Sequence, residues 1–214
     1  MDSTQVSAEE DHHFLSLLSE TELHRYKTFL RHERRRQFLL GRTLLRFAVS
    51  EITGLAVNDL RVNERSGNAP KLVLPTTTRL NLNFSLSHAR QWVACAIGID
   101  CRLGLDVEAN DPTRDVHGIS ELVFHPRDRE WLAKHDPAET VKVFYDLWCT
   151  REALFKLFPE IKGRTEPLHE PKGWYRYSSI HQDFTIVVCS DRNLPSLAFT
   201  PRQVALTEVL SKWS

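Results

Sequence analysis

Three carboxylates and one lysine stand at spacings that could build a centre for phosphate chemistry. Asp106 and Glu108 lie two apart in Gly104-Leu105-Asp106-Val107-Glu108, and Glu152 and Lys156 lie four apart in Trp148-Cys149-Thr150-Arg151-Glu152-Ala153-Leu154-Phe155-Lys156. In an extended segment residues i and i+2 point to one face. In a helix residues i and i+4 share a face. The apolar neighbours Leu103, Leu105 and Val107 predict a strand that is at least half buried. Two carboxylates held together in such a place repel, and one takes up a proton unless a cation relieves them. An oxygen-rich set suits Mg²⁺, which binds through one or two carboxylates and keeps other positions for water and substrate phosphates. The carboxylates would then hold Mg²⁺, Lys156 would neutralise phosphate charge, and one carboxylate could serve as a base. Each half taken alone also has a plain reading. The Asp-x-Glu pair could be a charged strand edge, and Glu152 with Lys156 could be a surface helix pair worth about 0.2–0.5 kcal/mol. Only their combination points to phosphate chemistry.

A second constellation is Phe84-Ser85-Leu86-Ser87-His88, which ends a predicted strand at a Ser-His step. Strand ends that run into turns are common places for ligand contacts. As a hydrolase dyad it is poor, because no Gly-x-Ser-x-Gly elbow occurs in the chain. His88 suits a phosphate contact better than the base of a nucleophile. Upstream, Arg25, Lys27, Arg31, Arg34, Arg35, Arg36, Arg42 and Arg46 face a single acid, Glu33. That run is either a solvated helical face or the mark of an anionic ligand. Neither a Walker-type phosphate loop nor a dinucleotide fingerprint is present.

The elements that must position these groups follow from periodicity and punctuation. Ser19-Glu20-Thr21-Glu22 has the form of a capping box that opens a helix. Phe38, Leu39, Leu44, Leu45, Ala48, Val49 and Ile52 recur at three- and four-residue intervals until Gly54, which predicts an amphipathic helix with an arginine-rich approach. Strands are expected at Leu60–Glu64, Leu82–Ser87, Trp92–Ile99 and Arg102–Glu108, with a turn at Ser66–Pro70 and the last two strands forming a hairpin. Asn110-Asp111-Pro112 breaks the sheet. Helices follow at Pro126–His135 and Ala138–Phe158, then a polar loop over Pro159–Gly173. Phe184–Cys189, Leu197–Thr200 and Val204–Leu210 read as strands.

At 214 residues, with 41% hydrophobic and 26% charged, the chain has the composition of a soluble globular protein of one domain or two small ones. Lys+Arg and Asp+Glu are 28 each, so net charge selects no partner. The four cysteines (Cys95, Cys101, Cys149 and Cys189) have no CxxC or zinc spacing and read as reduced thiols of a cytoplasmic protein. Met1–His13 has no apolar core of a signal peptide, and no stretch approaches the roughly 20 apolar residues of a membrane span. Helix then strands occurs twice, which suggests an α+β fold of two similar halves: a disordered tail over 1–12, an N-terminal α/β half over 13–102 and a C-terminal α/β half over 103–214.

Taken in order, Phe84–His88, Trp92–Ile97, Gly104–Glu108 and Trp148–Lys156 resemble the ordered signature of the Sfp-type 4'-phosphopantetheinyl transferases, and Arg34–Arg42 is similar to the arginine-rich helix of that family's N-terminal half. The resemblance runs from about residue 25 to 160 and is carried by the order and spacing of the motifs. It implies two pseudosymmetric α/β halves with coenzyme A and Mg²⁺ in the cleft between them. It also implies transfer of the phosphopantetheine arm to a serine of an acyl or peptidyl carrier protein, with release of adenosine 3',5'-bisphosphate.

Carried over by residue, the resemblance makes Asp106, Glu108 and Glu152 the metal ligands, with Glu152 also the base that takes the serine proton. Lys156 and His88 would meet coenzyme A phosphates with Ser87 nearby, and Arg34 or its neighbours the 3'-phosphate. A monomer is expected, with neither nucleic acid nor a membrane as partner. Three departures stand out: Arg151-Glu152 replaces the usual Lys-Glu, Gly67-Asn68-Ala69-Pro70-Lys71 replaces a Gly-Lys-Pro step, and the Gly-x-Gly-Leu that commonly follows the lysine is absent. Two other readings of the same acids are a metal-dependent nuclease or phosphodiesterase, whose nucleic acid the arginine helix would hold, and a carrier-protein-binding module without chemistry.

Overall fold

The computed structural model of the protein describes residues 1–65, 67–75, 78–161, 167–195 and 199–213. Among them the elements run α1 (Ala8–Ser16), α2 (Glu20–Thr28), α3 (His32–Thr53), β1 (Arg61–Arg65), β2 (Asn68–Val73), β3 (Leu82–Ala89), β4 (Trp92–Ile99), β5 (Leu103–Ala109), α4 (Val116–Val123), α5 (Pro126–Leu132), α6 (Pro137–Leu157), β6 (Tyr175–His181), β7 (Phe184–Ser190) and α7 (Leu206–Leu210). The fold is α+β. The chain divides into unit 1, Met1–Asp100 with Arg202–Ser214, and unit 2, Cys101–Pro201.

Unit 1 is organised by α3. Its apolar stripe places Leu39, Leu40, Leu44 and Phe47 with Phe14, Val93, Leu206 and Val209, while Leu45 and Val49 meet Leu60, Val62 and Leu72. Gly54 ends the helix with φ 72°, a left-handed cap that glycine adopts without a Cβ penalty. The capping box of α2 forms as expected: the Ser19 amide donates to Glu22 at 2.8 Å, and the Glu22 amide donates to Ser19 Oγ at 3.3 Å. β1 pairs with β2, and β3 with β4, each antiparallel.

Several expectations are corrected here. The hairpin partner of Trp92–Ile99 is not Arg102–Glu108 but β3, which lies nearer in sequence across the Arg90-Gln91 turn, with Arg90 at φ 49°. β5 belongs to unit 2 and pairs with β7. The first twelve residues, expected as a disordered tail, are folded. Ser3–Gln5 forms a 3-10 turn, Val93 N–H donates to Met1 O at 3.0 Å, and Ser7 caps α1. Val204–Leu210 is not a strand: Leu206–Leu210 is the short helix α7, with Leu206 and Val209 in the core of unit 1. Of the turn expected over Ser66–Pro70, Ser66 lies outside the described residues and β2 already begins at Asn68. Of the strand expected at Leu197–Thr200, Leu197 lies outside them too, and Phe199 and Thr200 are in no strand.

Unit 2 is one antiparallel sheet in the order β5-β7-β6, with α6 packed on β5 and β7. Cys149, Ala153, Leu154 and Leu157 of α6 meet Val187, Cys189 and Trp174. On another face of α6, Phe144, Tyr145 and Leu147 meet Val116, Phe124 and Leu132 of the α4–α5 region. The loop after α6 is pinned by the fully buried Asp128, whose carboxylate accepts the amides of Leu168 at 2.8 Å and His169 at 3.1 Å. Residues 162–166 of that loop, including Gly163, lie outside the described residues. Among the described residues no helix is long and apolar enough to cross a membrane.

Candidate functional site

The positions of Asp106, Glu108 and Glu152 follow from how closely β5 approaches α6. A Cβ built on Gly104 would lie 1.9 Å from Ala153 O and 2.8 Å from Leu157 N, so no side chain fits there. Glycine lets strand and helix meet backbone to backbone. With Gly104 turned to the helix, the period of two sends Asp106 and Glu108 to the same side. Asp106 Oδ1 takes the Lys156 ammonium at 2.8 Å, and Glu108 Oε1 takes the Trp148 indole N–H at 3.2 Å. The two expected pairs, one on the strand and one on the helix, are thus assembled within unit 2.

The electrostatics differ along the row. Asp106 is 6% exposed, and its partner Lys156 also donates to Leu105 O at 2.7 Å, so the ammonium grips both the side chain and the backbone of β5. The pKa of Glu108 is raised, first by burial and then by Asp106, with Glu152 adding to the push. The Trp148 hydrogen bond and Arg114 pull the other way. Glu152 is held by its neighbour Arg151, at 3.4 Å. Beneath the row, the buried Cys149 thiol has its pKa pushed well up by burial, by the charges of Asp106 and Glu108, and by a hydrogen bond to Asp106. It stays protonated, which suits a donor and not a nucleophile.

Among the described residues no three His, Cys, Asp or Glu side chains meet as a formed metal cluster. Lys156, Trp148 and Arg151 each draw one of the three acids their own way. The donor chemistry nonetheless fits a hard cation: three carboxylates from one strand and the helix packed on it, with the pKa of Glu108 raised first by burial and then by the charges of Asp106 and Glu152.

In unit 1 the predicted residues fall on α3 and β3. Ser87 is buried and the next residue, His88, is exposed, as neighbours on a strand must point to opposite faces. The two therefore cannot act as a side-by-side dyad. Arg34 and Arg25 both lie over the Phe29 ring, at 5.6 and 5.1 Å. Partial desolvation and then the charge of Arg25 lower the pKa of Arg34. Arg34 also donates to Gln37 Oε1 at 3.1 Å, and Gln37 Nε2 donates to Arg90 O at 2.9 Å, which ties this end of α3 to the turn just after His88.

Three further arginines of the run are engaged in structure. Arg46 binds Glu22 through two nitrogens at 2.6 and 3.1 Å, Arg42 reaches Glu22 at 3.4 Å and also pairs with Glu64, and Arg36 pairs with Asp11 at 3.1 Å.

Sequence reasoning missed Trp148, Arg114 and Cys149 as parts of the site. For Trp148 a signal was present, since it precedes Glu152 by four residues and shares its helical face.

Comparison with known proteins divides the chain at the same place as its fold. Residues 5–99 match the family described as 4'-phosphopantetheinyl transferase, N-terminal, and residues 102–197 match the 4'-phosphopantetheinyl transferase superfamily. Among curated proteins, the 4'-phosphopantetheinyl transferase HetI of Nostoc sp. is 30% identical over 65% of this chain and 58% of its own length. The 4'-phosphopantetheinyl transferases Sfp and ffp of Bacillus subtilis are 29% and 30% identical, each over 76% of this chain and 69% of their own length. The match thus spans a little under three-fifths of the Nostoc protein and about two-thirds of the two Bacillus proteins.

Proposed function

The chain belongs to the 4'-phosphopantetheinyl transferase family, and on that footing we propose that it moves the 4'-phosphopantetheine group of coenzyme A onto a serine of an apo acyl or peptidyl carrier protein. The serine oxygen forms a bond to the β-phosphorus of the pyrophosphate. The bond from that phosphorus to the bridging oxygen breaks, and adenosine 3',5'-bisphosphate leaves. The observation that supports this reading is the Gly104 contact, which packs β5 on α6 with Lys156 on Asp106 and with Asp106 and Glu152 near enough to Glu108 to act on its pKa.

Asp106 and Glu108, with Glu152, would hold Mg²⁺, which would supply positive charge to the pyrophosphate oxygens. Glu152, more exposed than Asp106, takes the serine proton directly or through water. Lys156 keeps Asp106 turned toward the helix and lends positive charge to the phosphates. On unit 1, Arg34 is assigned the 3'-phosphate, and Ser87 and His88 further coenzyme A contacts. The two arginines that share the Phe29 ring support an anion there. Cys95, Cys149 and Cys189 stand as buried or half-buried thiols, Cys95 with its pKa pushed up to about 12 by burial, which fits a reducing cytoplasm. A monomer fits a chain that supplies both halves itself.

The test is incubation with Mg²⁺, coenzyme A and a panel of apo-carrier proteins, read by intact mass. The expected result is one added phosphopantetheine per carrier serine, lost when EDTA replaces Mg²⁺. A panel left unmodified under saturating Mg²⁺ and coenzyme A would refute the proposal.

A further inference from the structure

Trp148 is placed to do more than fill space. Its indole N–H is a donor only, and it is spent on Glu108 Oε1 at 3.2 Å. The terminal torsion of a glutamate is broad, so a bare Glu108 would rotate freely and swing from the like charges of Asp106 and Glu152. A ring fixed on a helix removes that freedom. The ring is itself gripped on its faces: it stacks on Phe144 at 5.9 Å and 27°, the Arg114 guanidinium lies 5.1 Å from its centroid, and that of Arg151 lies 5.9 Å away.

Arg151 joins the second acid to the same assembly. Its guanidinium lies over Phe155 at 4.9 Å and pairs with Glu152 Oε1 at 3.4 Å. A planar guanidinium stacks on rings and pairs with a carboxylate at once, which a lysine ammonium does less well. Arginine at this position therefore has a physical use here.

We propose that Trp148 is the positioning residue of the cation site: its N–H fixes the rotation of Glu108, and the Arg151 guanidinium links the same ring to Glu152. The inference rests on the assignment of Asp106, Glu108 and Glu152 as cation ligands. Groups that orient a metal ligand from behind typically contribute 10–100-fold in affinity.

Trp148→Phe keeps an aromatic ring to stack and deletes the donor, along with part of the indole's volume. With the full-length protein and Mn²⁺ as the probe, electron paramagnetic resonance is expected to show affinity weakened ~10-fold. The half-saturating Mg²⁺ for transfer should rise in step, by a larger factor than the rate at saturating Mg²⁺ falls. Trp148→His, which retains a ring N–H, should recover part of the affinity. A Trp148→Phe variant that binds Mn²⁺ as tightly as wild type would overturn the inference while leaving the transferase reading intact. Equal losses in the two variants, tracking a shared drop in melting temperature, would also overturn it, because they would mark a packing role alone. Wild-type protein that binds no Mn²⁺ would instead remove the ligand assignment itself.

Discussion

Each unit gathers a knot of charges where a long helix meets its strands, buried in unit 1 and half-buried in unit 2, and the two knots are built on opposite plans. In unit 1, Glu22 is 0% exposed and Arg46 1%, yet Glu22 receives two nitrogens of Arg46 and one of Arg42, and Arg42 also has Glu64. Opposite charges are interleaved and each is answered. In unit 2 the acids are neighbours of one another, and the pKa of Glu108 is raised, first by burial and then by Asp106 and Glu152, although Trp148 and Arg114 pull it down. A buried network with every charge paired fixes a structure. One that keeps like charges together is a frustrated arrangement, tolerated where a site has chemistry to perform.

Four substitutions would break or sharpen this contrast. Asp106→Asn should lower the transfer rate ~10³-fold, several kcal/mol of lost charge stabilisation, with the circular dichroism melt nearly unmoved. A large loss of stability would show that unit 2's knot is structural after all. Glu22→Ala should do the reverse. It strands the buried Arg46 guanidinium and leaves Arg42 with Glu64 alone, and should cost ~3–5 kcal/mol in a urea titration, with activity lost only as the protein unfolds. Gly104→Ala should cost about 1–3 kcal/mol or more through forced separation of β5 and α6, and transfer should fall along with stability because the acids move apart.

The smallest effect expected is a gain. Because the folded-state pKa of Glu108 is raised, its proton is held more tightly in the folded protein than in the unfolded chain. The group favours folding at low pH, and that contribution is lost as pH rises through the raised value. Glu108→Gln should thus raise Tm by ~2 °C at neutral pH in the absence of divalent cations. The gain should vanish in acid, and Mg²⁺ should no longer stabilise the variant. A drop in Tm at neutral pH would mean that Glu108 is better paired than its neighbours allow.

Local pattern made the two halves of the acid site legible, because periods of two and 3.6 fix which side chains share a face. It also found α3 and α6, which are long and end at clear stops. It could not say that Gly104 is the hinge of the arrangement, since what forbids a Cβ there is backbone about fifty residues away. The arginine run misled for a similar reason. Arg42 and Arg46 look like part of an anion surface until Glu22 and Glu64, distant in sequence, are seen to claim them. Short apolar runs were the other weak point. Five residues such as Leu206–Leu210 are too few for helix and strand periods to separate, and tertiary contact with Phe14 and Leu40 decides. β6 was missed altogether. It is an edge strand with no fully buried position, and Arg176, Ser178, Ser179 and His181 leave it without an apolar run to read.

The return of Arg202–Ser214 to unit 1 has a consequence for how the protein is made. Leu206 and Val209 fill a core whose other members, Phe14, Leu39 and Leu40, emerge from the ribosome long before them. Unit 2 is one uninterrupted stretch, whereas the core of unit 1 is completed by apolar residues made after all of unit 2, so the first-made half is the one that waits.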